Sequence, residues 1–363
     1  MKICTIIGAR PQFIKAAAVS AKIAEMQKNS DISEVIIHTG QHYDADMSKI
    51  FFEELNIPKE KYNLEVGSGL HGAQTGKMLE GIENILIQEE PDWVLIYGDT
   101  NSTLAGALAA VKMHIPVAHI EAGMRSFNRQ MPEEINRIVA DSISTLNLCS
   151  TSTAVDNLKS EGMGDTAFLT GDVMYDCALN FEALAEKYCD PLSSFALSKG
   201  EYILMTCHRA ENTDDKLRLS QIVSAVNKIA EKHTVLYPMH PRTASFIEKY
   251  DLEFSDKVKV VPPVGYLDML VLEKNAEIIL TDSGGIQKEA FFYQVPCVTM
   301  RDETEWVETV ELGWNILTGA SEEKIINSVA KFADNRPPLT DKHPYGNGNA
   351  AEIIIEQITK SQT

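Results

Sequence analysis

The sequence predicts an α/β fold with two doubly wound parallel sheets. Short, almost wholly apolar segments alternate with longer segments of helical periodicity, as is typical of parallel sheets covered by helices on both faces. The chain has 363 residues, more than one ordinary core usually holds, so two domains are expected. We place them at residues 1–170 and 171–349, with the C-terminal helix 350–363 packed back on the first.

In the first half, each predicted strand is followed by a helix, as in βαβ units. The predicted strands are 2–7, 34–38, 93–97 and 116–120, and the predicted helices are 12–26, 74–88 and 102–114. A further helix is expected from Tyr43 to Leu55, and another begins near Pro132.

The second half repeats this scheme. Its predicted strands are 202–207, 234–238, 257–261, 278–281 and 297–300, and its predicted helices are 220–232 and 286–293, before a final helix from Ala350. The segment 171–200 is interpreted as the connection between the halves.

Composition narrows the class of protein. At 44% hydrophobic and 23% charged residues the chain has an ordinary globular composition, and its net charge of -19 argues against a nucleic-acid partner. The six cysteines are scattered without a C-x-x-C pair, which favours free thiols in a reducing compartment. A signal peptide and a membrane-length apolar segment are both absent, so we expect a cytoplasmic protein without a membrane partner.

Polar clusters follow the predicted strands, where open α/β sheets bind their ligands. They are Arg10, Gln41–His42, Asp99, Glu121, His208, His240–Arg242, Ser283–Gly285 and Arg301. Capping of helices explains one or two such positions but not all eight. The best architecture is therefore two sheets that face each other across a ligand-binding cleft.

The segment from Val117 to Arg137 concentrates carboxylates. Glu121 ends an apolar strand, and Glu133 and Glu134 follow at the next helix start. Such groups suit proton transfer on a bound anion, although a loop of solvated charges is the alternative. Asp99 also ends an apolar strand, and it could serve as a catalytic carboxylate, as a helix N-cap, or as both.

Cations and a glycine pair indicate an anionic ligand. Ser283, Gly284 and Gly285 begin a helix after a strand, where backbone N–H groups bind phosphate, and Glu289 is placed to accept from ribose hydroxyls. A nucleotide-sugar diphosphate is the favoured ligand.

Two other cation clusters support an anionic ligand. Arg10 and Lys15 stand at a helix start, where they oppose the helix dipole, so an anionic ligand or exposure to solvent would explain them. His208 and His240 follow strands, where they could contact phosphate or be structural. Metal-ligand spacing, Walker motifs and a G-x-G-x-x-G turn are absent, so we expect no metal and no nicotinamide.

Nine segments together resemble one family over nearly the whole chain. They are G-A-R-P-Q-F-I-K, G-Q-H-Y, Y-G-D-T, H-I-E-A-G-M-R, M-P-E-E-I-N-R, T-G-D-V-M-Y-D, C-H-R-A-E-N, T-D-S-G-G-I-Q-K-E-A and M-R-D-E-T-E-W-V-E. The chain resembles the non-hydrolysing UDP-N-acetylglucosamine 2-epimerases. The resemblance implies a GT-B fold, an active site between two Rossmann-like domains, and a homodimer. It also implies elimination and re-addition of UDP through a 2-acetamidoglucal, without a cofactor.

The resemblance also implies roles for individual residues. The implied catalytic residues are Asp99, Glu121, Glu133 and His208. Diphosphate contacts are implied for Arg10 and Lys15, and phosphate contacts for Ser283, Gly284 and Gly285. Glu289 would contact the ribose, Arg301 would lie near the sugar, and Met269, with Tyr266 close by, would lie against uracil.

Departures from the usual family pattern leave the substrate open. Gln12 and Cys207 replace residues that most members share, and the segment 41–45 differs from an allosteric contact segment of some bacterial members. These variants resemble the branch that includes UDP-2,3-diacetamido-glucuronate 2-epimerases. That substrate's carboxylate would need a cation near Arg125, Arg129 or Arg301. A hydrolysing epimerase, a glycosyltransferase and a non-catalytic UDP-sugar sensor are less favoured.

Overall fold

The structure is a computed structural model that describes residues 1–41 and 59–361, with only the backbone of Arg10. The helix expected from Tyr43 to Leu55 lies outside the described residues. The chain forms two compact units: Met1–Asn180 joined by His343–Thr363, and Phe181–Lys342.

The first unit contains a seven-stranded parallel sheet in the order β3-β2-β1-β4-β5-β6-β7. Its strands are β1 (Lys2–Ile7), β2 (Ser33–His38), β3 (Tyr62–Asn63), β4 (Trp93–Tyr97), β5 (Val117–Ala122), β6 (Leu146–Cys149) and β7 (Ala167–Leu169). Its helices up to the unit boundary are α1 (Arg10–Met26), α2 (His71–Glu89), α3 (Asn101–Lys112), α4 (Pro132–Ile143), α5 (Ser152–Ser160) and the start of α6 (Val173–Tyr188), with a 3-10 turn at Gly164–Thr166.

The second unit contains a six-stranded parallel sheet in the order β10-β9-β8-β11-β12-β13. Its strands are β8 (Tyr202–Thr206), β9 (Thr234–Pro238), β10 (Val258–Val261), β11 (Ile278–Thr281), β12 (Cys297–Thr299) and β13 (Asn315–Leu317). Its helices are α7 (Pro191–Ser194), α8 (Ala210–Thr213), α9 (Lys216–Ile229), α10 (Pro241–Tyr250), α11 (Tyr266–Lys274), α12 (Gly284–Phe292), α13 (Val307–Glu311) and α14 (Glu322–Asp334).

Both sheets follow the Rossmann order, in which the first strand lies beside the fourth and the chain winds outward in both directions. The strands are apolar on both faces because helices cover both sides. In β8, for example, Ile203 and Met205 lie in one hydrophobic cluster, whereas Tyr202 and Leu204 lie in another. The predicted pair of doubly wound α/β domains is therefore confirmed.

The last helix, α15 (Ala350–Lys360), belongs to the first unit and packs against α1. The Asp176 carboxylate, on α6, accepts hydrogen bonds from the backbone N–H groups of Ala350 (3.1 Å) and Ala351 (2.8 Å). These bonds satisfy N–H groups at the start of α15. Because the first turns of α6 make this contact, the division between the units falls within α6, beyond the expected boundary at residue 170.

Several short elements escaped the sequence analysis. The strands predicted at 2–7, 93–97, 234–238 and 278–281 are confirmed at those bounds, but β3, β6, β7 and β13 were not predicted. These strands have two to four residues, too few to show a hydrophobic period. Among the described residues no helix is both long and apolar enough to cross a membrane. None of the six cysteines forms a disulfide, and all except Cys189 are buried.

Candidate active site

Glu121, on β5, has a backbone φ of 69°, in the left-handed region. The pairing register between β5 and β6 shifts at this point, between Ile120 and Ala122, so the strand is bulged. A residue other than glycine in this conformation costs on the order of 1 kcal/mol or more, and such strain clusters at functional sites. The bulge turns the Glu121 side chain away from the regular alternation of the strand.

A largely buried ion pair brings two predicted site residues together. Lys15, on α1, pairs with Glu121, and their side chains are only 12% and 11% exposed. A Cβ atom placed on Gly98 would lie 3.3 Å from Lys15 Nζ and 4.0 Å from Glu121 Oε2. The pair therefore lies directly over the turn that leads from β4 into Asp99.

Asp99 is held by helix α4. Its Oδ2 accepts from Nε (3.0 Å) and Nη2 (2.6 Å) of Arg137, and its backbone carbonyl accepts from Asn136 Nδ2 (2.9 Å). The N-cap of α3 is Thr100, whose side chain accepts from Thr103 N. Asp99 is therefore not the cap, and its carboxylate stays partly accessible, with its side chain 31% exposed.

The two glutamates at the start of α4 differ in their surroundings. Glu134 is buried and accepts from the backbone N–H groups of Ser126 and Phe127, both at 3.0 Å, and from Arg137 Nη1 at 2.7 Å. Glu133 is exposed. Glu134 thus holds the loop between β5 and α4, whereas Glu133 is open to solvent. Arg137 was not among the predicted site residues, although its spacing of three from Glu134 on a helix indicates an ion pair.

Arg125, for which a substrate contact was expected, lies in a buried ion-pair cluster. Its Nε and Nη2 donate to Glu161 at 2.8 and 2.7 Å, and its Nη1 donates to Asp141 and to the carbonyl of Met124, both at 2.7 Å. The side chain is 1% exposed. An arginine directed in this way to two carboxylates and a carbonyl has little capacity left for a ligand.

In the second unit, Asp282 joins the loops that follow β8 and β11. Its buried carboxylate accepts from the backbone N–H groups of His208 (3.0 Å) and Arg209 (3.0 Å) and from Asn212 Nδ2 (3.2 Å). His208 Nδ1 lies 3.7 Å from Asp282 Oδ1, and its imidazole is partly exposed. Asp282, which the sequence analysis did not single out, therefore positions the predicted catalytic histidine.

The start of α12 has the character of an anion site. Ser283 is the N-cap residue but makes no side-chain cap hydrogen bond. A Cβ atom on Gly284 would lie 3.4 Å from Trp306 Nε1, 3.9 Å from Arg209 Nη2 and 4.0 Å from Arg301 Nη1. Three donor side chains thus converge on a helix N-terminus whose glycine allows close approach of a ligand. Arg209 and Trp306 were not among the predicted contacts.

Arg301 stands at this N-terminus but carries its own counter-charge. Its Nη1 and Nη2 donate to Glu305 at 3.0 and 3.2 Å, and both side chains are buried. The glutamate neutralises the arginine but leaves it at the anion site.

Glu289 and Met269 lie on neighbouring helices of the second unit. A Cβ atom on Gly285 would lie 3.9 Å from Glu289 Oε2, and Tyr266 Oη donates to Glu289 Oε1 at 3.3 Å. Met269, on α11, packs against the apolar cluster that contains Ala290. The carboxylate of Glu289 is therefore placed beside the start of α12.

His240 is the N-cap of α10, and its Nδ1 accepts from Arg242 N at 3.1 Å. Its proton must then be on Nε2 when the ring is neutral. The ring centroids of His240 and His208 are 5.9 Å apart. The two predicted histidines therefore lie at neighbouring strand ends.

Two expected ligand contacts fall partly or wholly outside the described residues. The side chain of Arg10 and all of His42 lie outside them. Gln41 is described, and its Oε1 accepts from Ser102 N (3.0 Å) and Ser102 Oγ (2.7 Å). Gln41 therefore holds the start of α3.

Carboxylates at strand ends in one Rossmann-like unit, and a cation-lined helix N-terminus in the other, define an α/β enzyme of the GT-B type that acts on a nucleotide-linked substrate. Residues 24–359 match the family model described as UDP-N-acetylglucosamine 2-epimerase. The chain belongs to this family of isomerases.

Relatives share almost the full length. A Methanococcus maripaludis protein named UDP-N-acetylglucosamine 2-epimerase homolog is 54% identical over 363 residues, with 99% of each chain covered. The UDP-2,3-diacetamido-2,3-dideoxy-D-glucuronate 2-epimerase of Pseudomonas aeruginosa is 52% identical, with 99% of this chain and 100% of the relative covered. The crystal structure of the Methanocaldococcus jannaschii UDP-GlcNAc 2-epimerase in complex with UDP-GlcNAc and UDP is 46% identical, with a TM-score of 0.91, and covers 99% and 100% of the chains.

Proposed function

We propose that the chain interconverts UDP-N-acetylglucosamine and UDP-N-acetylmannosamine by eliminating UDP and adding it back. The observation that carries the proposal is the bulged Glu121, paired with Lys15 over the Gly98–Asp99 turn. A strained carboxylate beside a second carboxylate and a cation is suited to proton transfer at one carbon of a bound anion.

The chemistry needs a base and an acid on opposite faces of the sugar. In the elimination, the C2 proton passes to a base, the C1–O bond breaks towards UDP, and a C1–C2 double bond forms. Because C2 has no carbonyl beside it, its proton is hard to remove and the base must be held in position. We assign these roles to Asp99, Glu121 and Glu133 as a set. In the reverse step, a proton reaches the opposite face of C2 and UDP returns to C1.

UDP binding is assigned mainly to residues of the second unit. The Ser283 hydroxyl, the backbone N–H groups of Gly284 and Gly285, and Arg209 close to Gly284 would stabilise the charge of the departing diphosphate. Arg301, already paired with Glu305, would add a hydrogen-bond donor beside Gly284. Further phosphate contacts are assigned to His240, Arg10 and Lys15. His208 is assigned a catalytic role as a donor of a proton or hydrogen bond to a phosphate oxygen.

Glu289 is assigned to the ribose hydroxyls and Met269 to the uracil. The reaction is redox-neutral and its leaving group returns, so it requires no cofactor.

The charges near the expected sugar-recognition residues favour a neutral C6 group. Three cations were considered as partners of a uronate carboxylate. Of these, Arg125 is paired with Asp141 and Glu161. Arg301 is paired with Glu305, and Arg129 is exposed. The two buried arginines already pair with carboxylates and so offer a C6 carboxylate little, whereas a hydroxymethyl group needs no cation. UDP-GlcNAc is therefore the leading substrate.

A second candidate substrate is UDP-2,3-diacetamido-2,3-dideoxy-glucuronate. It is favoured by the relative of that name, which is 52% identical over the full length. Both candidates share the C2 chemistry and differ at C3 and C6.

Incubation with each sugar nucleotide in D2O tests this function and its substrate. We expect deuterium at C2 of UDP-GlcNAc and the appearance of UDP-ManNAc in the proton spectrum. Exchange only with the diacetamido-uronate would move the assignment to the second candidate. Accumulation of free UDP in the phosphorus spectrum would indicate a hydrolysing enzyme, and binding of both nucleotides without exchange would reject the epimerase function.

We also assign the chain to the cytoplasm and to a homodimer. Six cysteines without a disulfide, five of them buried, fit a reducing compartment. The homodimer follows from the family resemblance alone. Light scattering on the purified chain tests it, and a monomeric mass at micromolar concentration would reject it.

A further inference from the structure

Four buried or half-buried ionisable side chains form a connected chain in the first unit: His119, Asp141, Arg125 and Glu161. His119 is on β5, two residues before Glu121, and Asp141 is on α4. His119 and Asp141 are fully buried, and only Glu161 reaches solvent to an appreciable extent. The mechanism proposed above does not use any of the four.

Both ring nitrogens of His119 face acceptor atoms. Nδ1 lies 2.7 Å from Asp141 Oδ1, and Nε2 lies 2.7 Å from the carbonyl oxygen of Gly98. A neutral imidazole has one N–H, so it cannot donate in both directions. The two short contacts therefore need a proton each, and the pair is best described as an imidazolium beside a carboxylate.

The surroundings of Asp141 support this description. Its Oδ2 accepts from Gly123 N (3.2 Å) and from Arg125 Nη1 (2.7 Å). Burial alone would raise the pKa of Asp141, but the hydrogen bonds and charges of His119 and Arg125 outweigh it and hold the pKa below its ordinary value. Asp141 is thus the ionised member of the pair.

The two ends of the pair hold the backbone on either side of the catalytic carboxylates. His119 binds the carbonyl of Gly98, the residue before Asp99, and Asp141 binds the N–H of Gly123, two residues after Glu121. Glu121 has a strained backbone, and such a conformation persists only where its neighbours determine it strongly. The pair supplies that restraint by linking His119, before the bulge, through Asp141 to the N–H of Gly123, after it.

We propose that His119 is a positioning residue for the epimerase reaction: by donating from both nitrogens, to Gly98 and to Asp141, it fixes where the Asp99 and Glu121 carboxylates stand. This inference rests on the proposed function, since it concerns the same site. It assigns no proton transfer with substrate to His119, whose ring is fully buried.

Two substitutions separate the contacts of the ring. In His119→Gln the side-chain amide can replace Nε2 and donate to Gly98. In His119→Asn the shorter amide can replace Nδ1 and donate to Asp141 but cannot reach Gly98. Both variants lose the charge and keep a polar amide, so they serve as matched controls for each other.

The expected result is a difference in kcat at unchanged KM. A misplacement of about 1 Å can lower the rate on the order of a hundredfold. We therefore expect kcat for UDP-GlcNAc to fall about a hundredfold in His119→Asn and less than about tenfold in His119→Gln. Equal losses of kcat in the two variants, or losses of kcat that follow their melting temperatures, would show that His119 has only a structural role.

A second measurement does not depend on activity. Nitrogen NMR of the full-length chain labelled with 15N-histidine should show one histidine with both ring nitrogens protonated near neutral pH, and His119→Gln should remove it. His38 is the internal reference for a neutral ring. It is buried, no described residue forms a hydrogen bond with its ring nitrogens, and burial lowers its pKa to about 4. An unprotonated nitrogen assigned to His119 would overturn the double donation. A wild type without C2 exchange would instead defeat the proposed function and leave this spectrum unaffected.

Discussion

At Glu121 the chain adopts a backbone conformation that ordinarily favours glycine, and the largely buried Lys15 pairs with its side chain. The sequence could indicate a carboxylate at the end of an apolar strand, because that follows from the order of residues. It could not indicate the left-handed φ or the bulge, which depend on the pairing of β5 with β6. The strained backbone is therefore a reason, not visible in the sequence, to assign Glu121 to the active site.

Glu121→Gln tests the proton-transfer role, because it removes the carboxylate while the shape of the side chain stays nearly the same. We expect C2 deuterium exchange to fall by about a thousandfold, within the range usual for loss of a general base or acid. UDP binding, measured by calorimetry, should stay within about threefold because the substitution leaves every assigned phosphate contact, including the Lys15 partner of Glu121, in place. The control is Glu90→Gln, also at a positive φ but exposed, which should leave turnover unchanged. Normal exchange in Glu121→Gln would exclude its catalytic role.

Ser283→Ala tests the phosphate site. Loss of an N-cap hydroxyl usually costs about 1 kcal/mol of stability, but Ser283 makes no side-chain cap hydrogen bond. We expect unchanged stability and a UDP affinity about tenfold weaker, as for the loss of one hydrogen bond to a charged group.

Ser321→Ala is the matched control, because Ser321 caps α14 by accepting from Lys324 N. It should lower the stability and leave the UDP affinity unchanged. The reverse pattern would show that Ser283 only caps its helix.

At the scale of elements, helix α4 organises the carboxylates of the first unit. Its residues hold Asp99 through Arg137 and hold the preceding loop through Glu134. Asp141, near its other end, reaches β5 through His119. Only the start of this helix was predicted from the sequence, because the contacts of its later residues depend on which strands pack against them.

The end of α2 is fixed to two strands by a single carboxylate. Glu89 accepts from Lys61 Nζ (2.6 Å) and Tyr62 Oη (2.5 Å) beside β2, and from Lys2 Nζ (3.4 Å) on β1. Hydrogen bonds from Lys61 and Tyr62 lower the pKa of Glu89 to about 2. A carboxyl pKa lowered by folding stabilises the protein above the unfolded pKa of about 4.3. That stability is lost as the pH falls through the folded pKa.

We therefore expect Glu89→Gln to lower the free energy of unfolding by about 1 kcal/mol at pH 7, a modest figure because solvent screens such pairs. The difference from the wild type should shrink below about pH 4.3 and vanish near pH 2. Urea denaturation across this range measures it. A difference that stays constant with pH would mean that the carboxylate charge is not responsible.

At the scale of the whole molecule, the C-terminal helix completes the first unit. Ile354, Ile355 and Ile358 of α15 are fully buried, and the helix packs against α1. The first unit therefore needs both ends of the chain, whereas the second unit is continuous from Phe181 to Lys342.

Ile355→Ala should destabilise the first unit by about 2–5 kcal/mol, the usual range for emptying a buried isoleucine site. Calorimetry should show one thermal transition shifted downward while the transition of the other unit stays in place. Glu356→Ala on the same helix is the control, because Glu356 is exposed and its pairing with Lys360 is worth under about 0.5 kcal/mol. An unshifted transition in Ile355→Ala would mean that α15 contributes little to the unit.

The bounds of several strands could be predicted from the order of residues along the chain, whereas other strands could not be predicted. The long apolar strands β1, β4, β9 and β11 were predicted at their observed bounds, because each is a buried run of four to six residues beside a turn. The edge strand β13, with three residues, gave no comparable signal.

The sequence by itself determined the fold class, the family and the motif at Ser283–Gly285, because alternating elements and glycine-containing turns are properties of residues close together along the chain. Only the tertiary structure decided that Arg125 belongs to a buried ion pair, that Arg137 orients Asp99 and that His119 reaches Gly98. Each of these contacts joins separate elements, and a side chain's partner depends on how those elements pack.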